Sequence, residues 1–230
     1  MNKRNKKVSV GIVGVGHLGK HHVKHLTAMD NVECVGLYDI DEERATVISD
    51  KYNVKSYDSL EALLIDCDAV TIVTPTDTHF NVASDCLTAG KHVFIEKPIT
   101  KSVAEAEQLL TLANTNEVLI QVGHIERLNP ALVPLKNYSI SPKYIEIQRL
   151  APYDVRGTDV PVVLDKMIHD IDILLFLVNS EVESIDANGI SILTDSIDIA
   201  NARIRFKNGT IANLTSSRVA QDHVRKTKMF

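Results

Sequence analysis

The sequence predicts an α/β fold in which a parallel sheet with helices on both faces is followed by an α+β domain with a mainly antiparallel sheet. In the first half, short β-branched runs alternate with segments whose apolar residues recur every three or four positions, as in a parallel sheet wrapped by helices. After Gly123, strand-like runs follow one another with hairpin signals between them. We therefore expect two domains, residues 1–122 and 123–230.

Five runs in the first half are almost continuously apolar, which is typical of parallel strands that are buried on both faces. These predicted strands are residues 7–14, 32–39, 69–74, 92–97 and 117–123. The predicted helices of this half are residues 18–29, 41–53, 59–65, 78–89 and 102–114. Because strand and helix alternate, each helix is expected to cross over between two parallel strands.

The second half is expected to combine two helices with a sheet. The predicted helices are residues 125–135 and 162–178, and the second should turn Ile171, Leu174, Leu175 and Val178 into the core. The predicted strands are residues 143–150, 181–193, 197–206 and 210–218. Asn-Gly at residues 208–209 is a hairpin signal between the last two. Residues 224–230 resemble the start of another strand that the chain end cuts short.

Composition favours a globular cytoplasmic protein over a membrane or nucleic-acid-binding one. Of the 230 residues 44% are apolar, which suffices for a core, and no run of 18 apolar residues could span a membrane. The net charge of −5 argues against a nucleic-acid surface. The basic, then apolar start mimics a secretory signal, but its glycines and the lack of a cleavage site argue against one. Three scattered cysteines favour reduced thiols in a cytoplasm.

A glycine-rich turn follows the first predicted strand and opens the first predicted helix. Gly14, Gly16 and Gly19 fit the G-x-G-x-x-G pattern, whose glycines make the turn, admit a pyrophosphate and let helix and strand pack closely. Asp39 ends the second strand about twenty residues later, where a carboxylate binds the adenosine ribose and repels a 2′-phosphate. The pattern predicts NAD as the cofactor rather than NADP. The alternative is a bare turn without a ligand.

The same segment is rich in histidine. His17, His21 and His25 are spaced by four, so they could share a helix face and hold a metal ion. However, His17 lies inside the phosphate turn, and further ligands for a closed site are not evident. We therefore expect solvated or phosphate-side histidines and no metal.

Two further groups of residues suggest acid–base chemistry. Lys97, in Glu96-Lys97-Pro98, lies at the carboxyl end of a predicted strand, where ligands gather, and it could stabilise negative charge on a substrate oxygen. Asp165 and His169 lie four apart on a predicted helix, so the carboxylate could orient a histidine that accepts a hydroxyl proton. Alternatively, Lys97 is a surface residue, and the acidic helix turn only complements the helix dipole.

These segments, in this order, resemble the Gfo/Idh/MocA oxidoreductase family. The resemblance covers GVGHLG (14–19), VTPTDTH (73–79), EKP (96–98), DKMIHDID (165–172) and FKNGTIANLTSSR (206–218). It implies an N-terminal NAD(P)-binding Rossmann domain and a C-terminal domain with an open sheet, which usually forms an interface in a homo-oligomer, a dimer or tetramer. It also implies catalytic roles for Lys97, Asp165 and His169.

A narrower resemblance concerns residues 121–131 and 149–173. They are similar to a subgroup whose members oxidise the 3-hydroxyl of UDP-N-acetylglucosamine. This resemblance implies a nucleotide-sugar substrate bound by Arg127, Tyr153 and Arg156, together with the three catalytic residues. Family members run longer than this chain, so the resemblance leads us to expect a shortened C-terminal sheet with open edges.

The predicted cofactor site combines the motifs above. Its residues are Gly14, Gly16, His17, Leu18, Gly19, Asp39, Ile40, Thr74, Pro75, Thr76, His79, Glu96, Lys97 and Gln121. The expected activity is hydride transfer between a sugar hydroxyl carbon and NAD. The alternatives are another sugar or polyol dehydrogenase, reduction of biliverdin-like or imine substrates, and a non-catalytic nucleotide sensor on the same fold.

Overall fold

A computed structural model describes residues 7–138, 140–155, 158 and 160–230. The chain divides after Gly123 into two compact units. The first contains the predicted parallel sheet, and the second contains the predicted, mainly antiparallel sheet. Among the described residues, no helix is both long and apolar enough to cross a membrane.

The first unit is a five-stranded parallel sheet in the order β2-β1-β3-β4-β5. Because the order reverses between β1 and β3, a crevice for ligands is expected at the carboxyl ends of these two strands. In chain order, the elements are β1 (Val8–Val13), α1 (Gly19–Leu26), β2 (Val32–Tyr38), α2 (Glu42–Tyr52), α3 (Leu60–Asp66), β3 (Ala69–Ile72), α4 (Thr76–Thr88), β4 (His92–Ile95), α5 (Val103–Thr115) and β5 (Ile120–Val122).

Helices cover both faces of this sheet. Successive residues of β1 point to opposite faces of the sheet. Ile12 packs into a cluster with α1 and α2, whereas Val13 packs into the cluster on the other face. Polar side chains begin several helices. Asp41 accepts from the backbone N–H of Arg44, and Ser102 forms a capping box with Glu105 before α5.

The second unit packs one helix against a five-stranded sheet in the order β10-β6-β9-β8-β7. All neighbouring strands are antiparallel except β6 and β9. Its elements are two 3₁₀ helices (Ile125–Leu128 and Val133–Asn137), β6 (Tyr144–Leu150), a π-helical turn (Val163–Met167), α6 (Ile168–Val178), β7 (Val182–Ile190), β8 (Ile199–Phe206), β9 (Ile211–Ser217) and β10 (Val224–Met229). The terminal run thus forms the predicted strand, β10, along β6.

The helix predicted at residues 125–135 is wrong, because this segment forms two short 3₁₀ helices. Pro130 is the physical reason, since a proline disfavours the helical conformation of the residue before it. Asn129 accordingly has φ −58° and ψ 126°, which ends the first 3₁₀ helix. The predicted strand 117–123 is also too long. Glu117 has a left-handed φ of 54°, and β5 begins only at Ile120.

The predicted helix 162–178 exists, but its first turn is a π helix. The wider turn shifts the register of the following residues. Leu175, which was predicted to lie in the core, is 45% exposed, whereas Asp170 and Asp172 are buried. Leu174 and Val178 are buried in the core as predicted, and Ile171 packs against it, so the apolar stripe was wrong only at Leu175 and missed the two buried carboxylates.

Candidate active site

Each glycine of the turn after β1 has a different environment. Gly14 has φ +85°, and a Cβ there would lie 2.8 Å from the carbonyl oxygen of Val73. A Cβ on Gly19 would lie 2.0 Å from the carbonyl oxygen of Gly14, so only glycine lets α1 start this close to β1. Nothing lies within 4 Å of a Cβ on Gly16. The space beside Gly16 is where a pyrophosphate could approach the backbone and the N-terminus of α1.

Asp39 directs its carboxylate at this turn. Its Oδ2 accepts a hydrogen bond of 2.7 Å from the backbone N–H of Val15, and the side chain is almost completely buried. Arg44 approaches Oδ1 of Asp39 at 3.3 Å and also donates to Asp41 at 2.7 Å. Ile40 follows with 88% exposure. The carboxylate is thus fixed between the turn and α2, where a ribose hydroxyl could donate to it.

The histidines of the segment lie mostly on the surface. His17 and His21 contact each other edge to face, with ring centroids 6.0 Å apart, and both are exposed, as are Leu18 and His25. Slight burial and the nearby Lys20 lower the pKa of His21. Among the residues that the structure describes, no three His, Cys, Asp or Glu side chains are grouped so as to hold a metal ion.

The loop after β3 is tied to the segment after β4 by His79. Nδ1 of this buried imidazole lies 2.9 Å from the carbonyl oxygen of Pro98, and Nε2 lies 2.9 Å from the carbonyl oxygen of Thr74. A neutral ring carries one N–H and so donates to one of these oxygens, whereas a protonated ring donates to both. Pro75 is exposed, and Thr76, the first residue of α4, is buried.

Glu96 and Lys97 follow β4 at the same carboxyl edge. The Glu96 carboxylate accepts from Nε2 of His22 at 3.1 Å, and Lys97 is half-buried. Gln121 lies on β5 beside Phe94, with an exposed side chain that donates to the carbonyl of Val122. The structure therefore brings most of the predicted cofactor residues to the carboxyl ends of β1 to β4.

Asp165 and His169 belong to the second unit, whereas Lys97 belongs to the first. Asp165 lies in the π turn and forms an ion pair of 3.2 Å with Lys166. His169 is the second residue of α6 and is half-buried. The π turn is defined by a bond from the N–H of Ile168 to the carbonyl of Val163, five residues back. Such π turns inside helices occur frequently at functional sites.

Of the predicted substrate residues, Arg127 is held by an acidic partner. Its Nε donates to Oδ2 of Asp172 at 2.6 Å, and its Nη2 donates to Oδ1 of the same carboxylate, which raises the pKa of Arg127. Nδ1 of His124 lies 3.9 Å from Asp172. The side chain of Tyr153 is exposed. Arg156 lies outside the described residues.

A buried ion pair below the start of α6 was not predicted. Arg149 on β6 donates to both carboxylate oxygens of Asp170 at 2.7 to 3.0 Å, and both side chains are buried. Burial raises the pKa of Asp170, an effect that the Arg149 guanidinium offsets only in part. The alternation of β6 contained the signal, because it places Arg149 among the inward positions.

Glu126 extends this charged cluster. Its carboxylate lies 3.2 Å from Arg225 and 4.0 Å from Arg149. Burial acts to raise the pKa of Glu126, but Asn129, the two arginines and His169 together lower it. An ionised carboxylate therefore acts electrostatically on His169, a role that the sequence did not indicate.

Comparison with known proteins extends over both units. Residues 8–124 match an oxidoreductase family with an NAD-binding Rossmann fold, and residues 153–229 match the Gfo/Idh/MocA C-terminal domain. UDP-N-acetylglucosamine 3-dehydrogenase of Acidithiobacillus ferrooxidans is 39% identical over 221 residues, which are 96% of this chain and 70% of that protein. Myo-inositol 2-dehydrogenase of Thermotoga maritima is 29% identical. That match extends over 92% of this chain and 69% of the relative.

Solved structures agree with these matches. The structure of UDP-N-acetylglucosamine 3-dehydrogenase GnnA from Acidithiobacillus ferrooxidans superimposes with a TM-score of 0.91, over 97% of this chain and 74% of that one. A probable dehydrogenase from Thermotoga maritima, 26% identical, gives 0.88 over 97% of this chain and 73% of that one. The family matches, the sequence identity and the shared fold lead to one conclusion: this chain belongs to the Gfo/Idh/MocA family of NAD-binding oxidoreductases.

Proposed function

We propose that the protein oxidises the 3-hydroxyl of UDP-N-acetylglucosamine with NAD as the oxidant. The observation that carries this proposal is the 39% identity to UDP-N-acetylglucosamine 3-dehydrogenase, which extends over both units of the chain. The inositol dehydrogenases that also resemble the chain are 28 to 29% identical. A polyol dehydrogenase is therefore the second candidate.

Lys97, Asp165 and His169 carry the chemistry in this proposal. His169 accepts the proton of the substrate hydroxyl, because a histidine has a pKa suited to a general base near neutral pH. Asp165 fixes the tautomer of His169, and Lys97 donates to the same hydroxyl oxygen and stabilises its developing negative charge. Bound NAD would supply the hydride acceptor for the sugar carbon.

The first unit fits NAD. The open space at Gly16, beside the N-terminus of α1, and the carboxylate of Asp39 match a pyrophosphate and a ribose with unmodified 2′-hydroxyl. A 2′-phosphate would meet the Asp39 carboxylate, so NAD is preferred over NADP. His17, Leu18, Ile40, the loop with Thr74 and His79, Glu96 and Gln121 complete the proposed cofactor site.

The second unit is proposed to bind the nucleotide sugar. Tyr153 and Arg156 are assigned to the substrate, as is Arg127. Because Nε and Nη2 of Arg127 already donate to Asp172, this arginine offers a diphosphate its Nη1 group. It therefore combines substrate binding with a contact that holds α6.

The same unit is proposed to form a homo-oligomer through its sheet. Every residue of the edge strand β7 is exposed, including Ile185 and Ile190. An exposed apolar edge of this kind is a common interface between subunits. The three cysteines are free thiols, which supports a cytoplasmic location for such an oligomer.

A substrate panel tests the proposal. The chain is incubated with NAD and with UDP-N-acetylglucosamine, UDP-glucose, N-acetylglucosamine or myo-inositol, and NADH is followed by absorbance. We expect the highest kcat/KM for UDP-N-acetylglucosamine. N-acetylglucosamine, which lacks the nucleoside diphosphate, should have a much lower kcat/KM. Preference for myo-inositol supports the second candidate and contradicts the first. Lys97→Met is the control for background NADH formation, because it removes the catalytic ammonium but keeps most of the side chain.

A further inference from the structure

Backbone donors hold the carboxylate of Asp39. Its Oδ2 accepts a hydrogen bond of 2.7 Å from the N–H of Val15, and its Oδ1 accepts one of 3.0 Å from the N–H of Asp41. The side chain is 5% exposed. Because each oxygen has its own backbone donor, the orientation of this carboxylate does not depend on another side chain.

Arg44 makes an additional contact with the same carboxylate. Its Nη1 lies 3.3 Å from Oδ1 and 3.4 Å from Oδ2 of Asp39, and its Nη2 donates to Oδ2 of Asp41 at 2.7 Å. Asp41 does not depend on this guanidinium either, because its Oδ1 accepts from the backbone N–H of Arg44 and caps α2. Ion pairs of half-exposed arginines contribute little to stability. The charge of Arg44 is therefore available for an effect on a ligand.

The cofactor brings its distinguishing group to this arginine. A carboxylate such as Asp39 accepts from the adenosine ribose of NAD, and NADP carries its additional phosphate on the same ribose. A 2′-phosphate would thus meet the negative charge of Asp39 and the positive charge of Arg44 together. Among the described residues, Arg44 donates through Nη1 and Nη2, which leaves its Nε–H for a phosphate oxygen.

We propose that Arg44 is a specificity-determining residue that weakens the discrimination against NADP imposed by Asp39. This inference rests on the NAD site of the proposed function and is independent of the sugar. The two aspartates and the arginine together carry one negative charge, whereas the aspartates alone would carry two. A phosphate responds strongly to this difference, and the neutral 2′-hydroxyl of NAD responds much less.

Substitutions of Arg44 test this in the full chain by calorimetric titration with NAD and NADP. We expect Arg44→Met to keep the Kd for NAD within about threefold. The ratio of the Kd for NADP to the Kd for NAD should rise at least about tenfold, the scale of losing a charge-assisted hydrogen bond. Arg44→Lys keeps the cation and should keep this ratio within about threefold. Lys51→Met removes an equal charge from the far end of α2, where the lysine is exposed, and should change neither Kd.

Asp39→Asn provides a second comparison, because its amide oxygen can still accept from the N–H of Val15 but carries no charge. We expect NADP to bind at least about tenfold more tightly to Asp39→Asn than to the wild type. The double variant with Arg44→Met should lose this gain. An unchanged ratio in Arg44→Met contradicts the proposal, as does equal NADP affinity of Asp39→Asn with and without Arg44. The exposed Arg44→Met decides if Asp39→Asn fails to fold, and the Asp39→Asn pair decides if wild-type binding of NADP is too weak to measure.

Binding measurements also separate this inference from the proposed function. A wild-type chain that binds NAD but oxidises no sugar contradicts the proposed activity, while the two affinities still decide the role of Arg44. Conversely, a chain that oxidises UDP-N-acetylglucosamine and keeps its NADP-to-NAD ratio in Arg44→Met overturns the role of Arg44 and leaves the proposed function intact. A wild-type chain that binds neither nucleotide contradicts both.

Discussion

Gly16 and Gly19 belong to one motif, yet the structure gives them separate physical roles. The α-carbon of Gly19 faces the carbonyl of Gly14 so closely that no side chain fits, whereas the α-carbon of Gly16 faces open space. Substitution at Gly19 therefore affects folding, and substitution at Gly16 affects the ligand. The difference can be measured with a single methyl group at each position.

Gly16→Ala is expected to fold with wild-type stability and to weaken NAD binding about tenfold, or ~1.4 kcal/mol. Gly19→Ala is expected to lower the free energy of unfolding by about 1–3 kcal/mol, because its Cβ overlaps backbone. Urea unfolding and calorimetric titration with NAD give the two quantities. Unchanged NAD affinity in Gly16→Ala would show that the space at Gly16 has no role in ligand binding.

His169→Ala should reduce turnover of the sugar at least ~100-fold, the usual consequence of losing a general base. NAD affinity should be retained, because the proposed NAD-binding residues belong to the first unit. Steady-state kinetics and NAD titration test this, with His223→Ala as an exposed control in the same unit. Undiminished turnover in His169→Ala would remove His169 from the mechanism.

Single residues were predictable where a motif fixes their position relative to a strand end. The three glycines, Asp39 and Lys97 lie at the carboxyl edge of the sheet, as the pattern predicts. The pairs His22–Glu96 and Arg149–Asp170 were not predicted, because their members lie 74 and 21 positions apart and meet only through the packing of separate elements. The alternation of β6 indicates only that Arg149 faces inward, and it does not indicate which carboxylate Arg149 contacts.

Helix α6 and the π turn before it carry the proposed base. The buried face of α6 includes two carboxylates, Asp170 and Asp172, and each is paired with an arginine. Buried charges are tolerated only with such partners. The ion pair Arg149–Asp170 therefore fixes the helix against β6 directly beside His169.

Arg149→Met leaves Asp170 buried without this arginine and should lower the free energy of unfolding by about 3–5 kcal/mol. Adding Asp170→Leu should recover most of this loss, since an apolar pair of similar size often replaces a buried ion pair at little cost. Urea unfolding of the single and double variants provides the comparison. A double variant no more stable than Arg149→Met would contradict the account.

The apolar periodicity of the sequence predicted whether an element is a helix or a strand better than it predicted where that element begins and ends. Every predicted strand and most helices occur, because buried strands and amphipathic helices have distinct apolar spacing. The predicted helix at residues 125–135 failed because Pro130 interrupts an otherwise helical pattern. The π turn was not foreseen, because residues 162–178 were predicted as one regular helix.

The stability of the protein should depend on ionised carboxylates. Burial acts to raise the pKa of Asp198, but N–H groups of Thr194, Ile192 and Leu193 and the Thr194 hydroxyl hold it far below its ordinary value. The pKa of Glu126 is lowered as well. A lowered pKa in the folded state contributes stability above the ordinary pKa, and that stability is lost as the pH falls toward the folded-state value.

The melting temperature should therefore fall steadily as the pH decreases below about 4.5. Asp198→Asn should melt several degrees lower at neutral pH and show a weaker pH dependence, because the substituted group no longer titrates. Calorimetry between neutral and acidic pH checks both expectations, with the exposed Asp222→Asn as control. Parallel curves for Asp198→Asn and the wild type would exclude this carboxylate as the cause.

The overall α/β architecture was predictable because each half of the chain has its own pattern, alternating in the first and strand-rich in the second. The strand order of the second sheet was not, since the parallel pairing of β6 with β9 depends on contacts that no hairpin signal indicates. Family membership follows from motifs in both halves, whereas the substrate depends on the finer likeness to one dehydrogenase.

The most direct test of the proposed function follows the hydrogen at C3 of the sugar. UDP-N-acetylglucosamine deuterated at C3 is incubated with the protein and NAD, and the NADH formed is examined by mass spectrometry. We predict that the deuterium appears in NADH, and that Lys97→Met and His169→Ala form it much more slowly. NADH without deuterium, or no NADH with this substrate, would contradict the proposed reaction.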